Sequence, residues 1–180
     1  GNISSVGLEL YFQLLEQQIT ILKHGNKSIA IQAREPQIKI SLNVVIPSSY
    51  ITKERDKLEV YKKLFTLTNL QDISEYSSEI QDRYGKAPAE VSMLCALAKL
   101  RVLLKSLHVD SIRSRDLINY DLSFTKSGLA EKLLKKHLMI KKHKSYKITF
   151  TQDKVKIILP TSNETSKQQY LNMLLGILGE

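Results

Sequence analysis

The apolar positions of this chain change period partway along it, and those changes predict its elements. Leu8, Tyr11, Phe12, Leu15, Ile19 and Leu22 recur at helical spacing, until Gly25 and Asn26 end the pattern. Ile38, Ile40, Leu42, Val44 and Ile46 then alternate with Lys39, Ser41 and Asn43, a half-buried strand closed by Pro47. Thr52 is placed to cap a helix with Leu58, Tyr61, Leu64 and Phe65 inward. Asn69 and Asp72 open another, with Ile73, Tyr76, Ile80 and Tyr84 inward and Gly85 as its stop. Pro88 suits the first position of a helix running toward Leu107. That helix is apolar on nearly every side, which predicts the central buried element.

Beyond Leu107 the spacing shortens to that of strands. Ser111 to Arg113 and Ile118, Tyr120, Leu122 and Phe124 read as a hairpin. Thr125 or Ser127 begins a helix with Leu129, Leu133 and Leu134 inward. A second hairpin pairs Tyr146, Ile148 and Phe150 with Val155, Ile157 and Leu159. Thr161-Ser-Asn-Glu164 has the form of a capping box opening a last helix with Tyr170, Leu171, Leu174 and Leu178 inward. Helices first, then strands mixed with helices, predict an α+β fold: helices packed with a small mixed or antiparallel sheet of short strands and hairpins.

The 180 residues suffice for one buried core, and 42% hydrophobic with 25% charged residues is an ordinary globular balance. No apolar run nears the roughly 18 residues of a membrane span, and the N-terminus lacks the basic start and apolar core of a signal peptide. The lone Cys95 excludes an internal disulfide, fits a reducing cytoplasm, and lies in an apolar run as a small buried hydrophobe. The expected location is cytoplasmic, with no membrane partner.

Charge is unevenly distributed. Residues 1–90 hold 11 basic and 11 acidic side chains, whereas residues 91–180 hold 16 and 7. Seven lysines (Lys132, Lys135, Lys136, Lys141, Lys142, Lys144 and Lys147) stand in one stretch without an acid. They form either a solvated surface or a set of contacts to phosphates or an acidic partner. With no arginine and little aromatic interleaving, the stretch suits phosphate contact better than base reading. Asp72, Glu75, Glu79 and Asp82 are spaced three, four and three, so they make one stripe beside the apolar face of their helix. Such a stripe is either solvated helix surface or an acidic edge that meets a basic partner, and Arg83 is placed to pair with Glu79.

Catalytic chemistry has little support. There is no phosphate-binding glycine loop, no dinucleotide turn and no zinc-helix motif. His24, His108, His137 and His143 are scattered without ligand-like pairing, so neither a metal nor a cofactor is expected.

Three blocks taken together resemble a known family. Ile3-Ser-Ser-Val6-Gly7-Leu8-Glu9-Leu10-Tyr11 resembles the junction where the translocase module of bacterial transcription-repair coupling factors (Mfd) runs into its last domain. Ile46-Pro47-Ser-Ser-Tyr50-Ile51, continuing through Lys57-Leu58 to Tyr61-Lys62-Lys63-Leu64, is similar to that domain's P-x-x-Y-I and following R-L-x-x-Y-K-R block. Lys57 stands where the family pattern has arginine, a point charge in place of a bidentate fork. Glu79-Ile-Gln-Asp82-Arg83-Tyr84-Gly85, continuing to Pro88, resembles its E-L-x-D-R-F-G-x-x-P block. The likeness covers nearly the whole chain and fades after about Leu107.

The resemblance implies a helical junction over residues 1–25, continuing from an upstream translocase module, and a C-terminal regulatory α+β domain over 26–180. Parent proteins of this family are ATP-dependent DNA translocases that displace stalled RNA polymerase and recruit UvrA in nucleotide excision repair. Their motor motifs lie upstream, so this part is expected to be non-catalytic. It would dock intramolecularly on the UvrB-like N-terminal module as an autoinhibitory clamp and cover the UvrA-binding face. By position, Glu79 and Asp82 match the family's acidic contact pair, with Glu75 and Arg83 beside them. The alternative is a basic nucleic-acid-binding accessory module working through Lys132 to Lys147.

Overall fold

A computed structural model of the chain describes residues 35–42, 44–124, 132, 146–151, 154–162 and 164–179. In chain order these form β1 (Gln37–Ile40), α1 (Glu54–Thr66), α2 (Leu70–Tyr84), α3 (Ala89–Ser106), β2 (Ser111–Ser114), β3 (Asn119–Ser123), β4 (Lys147–Phe150), β5 (Lys154–Ile158) and α4 (Lys167–Gly179). The α+β expectation holds, and the sheet is mixed. Its order is β1-β2-β3-β5-β4, with β1 parallel to β2 and every other pair antiparallel. Both hairpins are present. Ile112 faces Leu122 in the first, and Phe150 faces Val155 in the second. The anticipated first helix falls outside the described residues, as do the boundary near Gly25 and the inward leucines after Thr125.

α3 is the centre of the core. Val91, Leu94, Leu97, Leu100 and Leu104 are buried on it, as is Cys95, whose thiol is pushed up in pKa by burial. Pro88 stands one position earlier than expected, as the N-cap. At the other end His108 takes a positive φ of 57°, and its N–H donates to the Lys105 carbonyl while Val109 N–H reaches back to Leu104. This pair of bonds closes the helix in a Schellman motif, with Val109 and Leu104 both buried. α4 packs closely on α3. A Cβ added at Gly179 would come within 2.9 Å of the Leu103 side chain.

Four expectations need correction. The strand ends at Ile40, because Leu42 N–H bonds back to the Ile40 carbonyl in a tight turn. Val44 and Ile46 are nevertheless buried, and Tyr61 Oη accepts from Ile46 N–H at 2.7 Å where a strand partner would otherwise serve. Thr52 caps nothing: α1 starts at Glu54 after Lys53, which makes no side-chain cap. Leu58 is 55% exposed, whereas Lys57 turns inward because its ammonium finds Glu54 at 2.6 Å and Ser48 Oγ at 2.9 Å. The last helix takes its cap at Ser166, five residues beyond the predicted Thr161. Ser166 N–H donates to Gln169 Oε1 and Gln169 N–H to Ser166 Oγ, a reciprocal cap with the same residue spacing.

Glu35 ties the start of β1 to α3 by accepting from Arg101 at 3.1 Å and Lys105 at 2.6 Å. Burial pushes its carboxyl upward, but Lys105 and Arg101 together outweigh that and hold it below its usual value.

Candidate functional site

The acidic stripe lies on α2, a helix that only its buried face commits to the core. Asn69 sets its start, its side chain accepting from Asp72 N–H at 2.7 Å. Ile73, Tyr76 and Ile80 are buried, so the positions between them face outward. Gly85 ends the helix at φ 87°, a conformation that side chains with a Cβ rarely adopt. The Tyr50 hydroxyl donates to the Gly85 carbonyl at 2.8 Å, and the Tyr50 and Tyr84 rings lie 6.0 Å apart. Burial, first among the causes, raises the Tyr50 pKa and favours its neutral, donating form. Tyr50 therefore pins the end of the helix that carries the acidic pair.

Glu75, Glu79 and Asp82 are all exposed on this helix. Glu75 accepts from Gln71 Nε2 at 2.8 Å. Glu79 accepts from Lys63 of α1 at 3.1 Å, with both side chains about half exposed or more (49% and 60%). The same ammonium sits 4.1 Å from the centre of the Tyr76 ring. Burial, and secondarily the Glu79 charge, push the Tyr76 hydroxyl up to about 12. Arg83 does not take Glu79, because its guanidinium lies over the Tyr84 ring at 5.0 Å. Asp82 has no ion-pair partner among the described residues. The two carboxylates of the candidate pair thus differ. One is open, and the other is held by an exposed lysine whose contribution is about 0–1 kcal/mol and readily exchanged.

Lys63 was not singled out from sequence. It lies sixteen residues from Glu79, so only the packing of α1 on α2 brings them together. Tyr50 was visible as part of a block but carried no role there. Of the seven clustered lysines, Lys132 is exposed in a helix and Lys147 is exposed on β4. Lys135, Lys136, Lys141, Lys142 and Lys144 lie outside the described residues. Among the described residues, no group of His, Cys, Asp and Glu could hold a metal ion, and no helix is long and apolar enough to cross a membrane.

Comparison with known proteins adds the family. The model of the TRCF domain matches residues 40–130, half of the chain. The transcription-repair-coupling factor of Rickettsia prowazekii is 32% identical over 136 residues, covering 75% of this chain and 12% of that protein. The transcription-repair-coupling factor of Buchnera aphidicola is 30% identical over 179 residues, covering 97% of this chain and 22% of that protein. Both relatives are several times longer than the aligned stretch. A solved C-terminal domain of transcription-repair coupling factor superposes with a TM-score of 0.58 at 20% identity, covering 81% of this chain and 96% of that one.

Proposed function

The chain belongs to the transcription-repair coupling factor family, and from that premise we propose that residues 26–180 act as a non-catalytic docking clamp within a longer cytoplasmic protein. The outer edge of α2 meets arginines of a UvrB-like N-terminal module, with Asp82 and Glu79 as charge-assisted acceptors and Glu75 beside them. The Tyr50–Tyr84 pair adds aromatic surface at the same end of the helix, the residue type that interfaces favour. Docking covers the UvrA-binding face and restrains an ATP-driven DNA translocase. Binding of RNA polymerase and DNA by the parent shifts the equilibrium toward the open arrangement. Arg83, held over Tyr84, orients the surface rather than supplying acceptor charge.

The observation that carries this reading is the Asp82 carboxylate, open among the described residues, beside Glu79, whose ion pair with Lys63 is solvent-exposed. Neither group is needed to hold the fold, so both are available to a partner. Affinity between this chain and the separate N-terminal module is the test. Asp82→Ala is expected to weaken docking by about 2–5 kcal/mol, the range for a charge pair buried on association. Unchanged affinity in both Asp82→Ala and Glu79→Ala would remove these residues from the mechanism.

A further inference from the structure

We propose that the solvent face of the five-stranded sheet binds the phosphate backbone of a nucleic-acid duplex, independently of docking through α2. The argument starts from register. Lys39 on β1 is opposite Arg113 on β2, Arg113 is opposite Asp121 on β3, Asp121 is opposite Lys156 on β5, and Lys156 is opposite Thr149 on β4. All five positions are exposed and alternate with the apolar positions that turn to the core. Lys154 lies two residues from Lys156 on the same face, and Lys147 two residues from Thr149. Among the described residues the sheet therefore gathers five cations around a single carboxylate, although they come from four strands. None of the five is in an ion pair among the described residues.

The chemistry of this face selects its partner. Among the described residues it carries no aromatic side chain, so it is not a stacking platform for unpaired bases. The described residues of this face also lack the aromatic and apolar centre that organises a protein interface, and they are rich in the lysine that such centres exclude. Lysine and arginine interspersed with short polar groups such as Thr149 and Gln37 is instead the set that contacts phosphates. Spacing agrees. From β1 to β5 is three strand steps, about 14 Å, close to the roughly 12 Å width of a major groove. Lys39 and Lys156 can therefore address phosphates on opposite strands of one duplex.

The test is fluorescence anisotropy of the 180-residue chain with a 20-base-pair duplex of arbitrary sequence, titrated at several salt concentrations. Five phosphate contacts give a slope of log K against log salt near about −4.5. The triple variant Lys39→Ala, Arg113→Ala, Lys156→Ala should bind at least tenfold more weakly, with the slope reduced to about −1.8. Asp121→Asn should tighten binding, because it removes the one opposing charge from the row. Lys62→Ala with Lys86→Ala, which removes exposed cations elsewhere, should leave binding unchanged, as should Glu79→Ala. A loss from the Lys62 and Lys86 variant equal to that of the triple variant would reduce the effect to net charge and overturn the proposal. So would tighter binding to an acidic peptide than to the duplex, or to the single strand than to the duplex.

Discussion

α2 and α3 are neighbours of similar length, yet they divide the work of the molecule. α3 is buried on almost every side and holds the other elements by volume. α2 commits only Ile73, Tyr76 and Ile80 to the core and leaves its carboxylates in solvent, steadied at their ends by Asn69 and Tyr50. The difference teaches that stability and recognition are separable here. An interior residue of α3 should matter to folding and not to binding, whereas an outward residue of α2 should do the reverse.

The largest expected effect sharpens the first half of that contrast. Leu100→Ala, at a fully buried site on α3, should lower unfolding free energy by about 2–5 kcal/mol. Urea denaturation reads it, and the affinity of the remaining folded fraction for a docking partner should be unchanged. Tyr50→Phe comes next. It removes the hydroxyl that donates to the Gly85 carbonyl, at about 0.5–1.5 kcal/mol. Its signature is a weakening of docking larger than the accompanying loss of stability, because the disturbed turn is the one bearing Asp82. Equal losses in both measurements would blur the division between the helices.

Lys63→Met probes the same boundary with the opposite sign. Freeing Glu79 from its intrachain cation should strengthen docking by up to about 1 kcal/mol, measured by titration calorimetry, with little change in melting temperature. Weaker docking would mean that the lysine belongs to the interface rather than competing with it. The smallest effect concerns pH and lies away from the acidic edge of α2. Glu35 has a lowered folded pKa, so its contribution is complete above its ordinary value of 4.5 and is lost as pH falls through the lowered folded value. Because Glu35 is partly exposed, the change in stability should be small. Glu35→Gln should flatten the acid limb of the stability curve while leaving docking at neutral pH alone.

What could be read from sequence was what local chemistry decides. Asn69 and Gly85 bracket α2 because a side-chain cap and a positive φ are needed there whatever surrounds them. The hairpin register from Ile148 to Val155 follows from alternation and a short turn. Where two solutions were locally equal, tertiary contacts decided. Thr161–Glu164 and Ser166–Gln169 have the same capping pattern, and the helix took the second, while Tyr170 Oη accepts from Ser162 N–H and so engages the first in a turn. Lys57 turned inward and Leu58 outward because Ser48, nine residues earlier, offers an acceptor. The acidic pair itself was legible from spacing. That Lys63 holds one of the two carboxylates and not the other was not, since no local pattern links α1 to α2. The basic row across the sheet was hidden for the same reason, because its members share a line only once strand order is known.

Strand order also bears on time. β2, β3, β5 and β4 pair as antiparallel neighbours, but Gln37 meets Ser111 across 74 residues, with three helices in between. Closing so long a loop is slow compared with forming a hairpin. β1 should therefore be the last strand to assemble and the first to detach, with the amide protons of Gln37 and Ser41, which bond to the Asp110 and Ser114 carbonyls, exchanging ahead of those in β3. A refolding chain would display the four antiparallel strands, with Arg113 and Lys156 already in place, before Lys39 docked to complete the row.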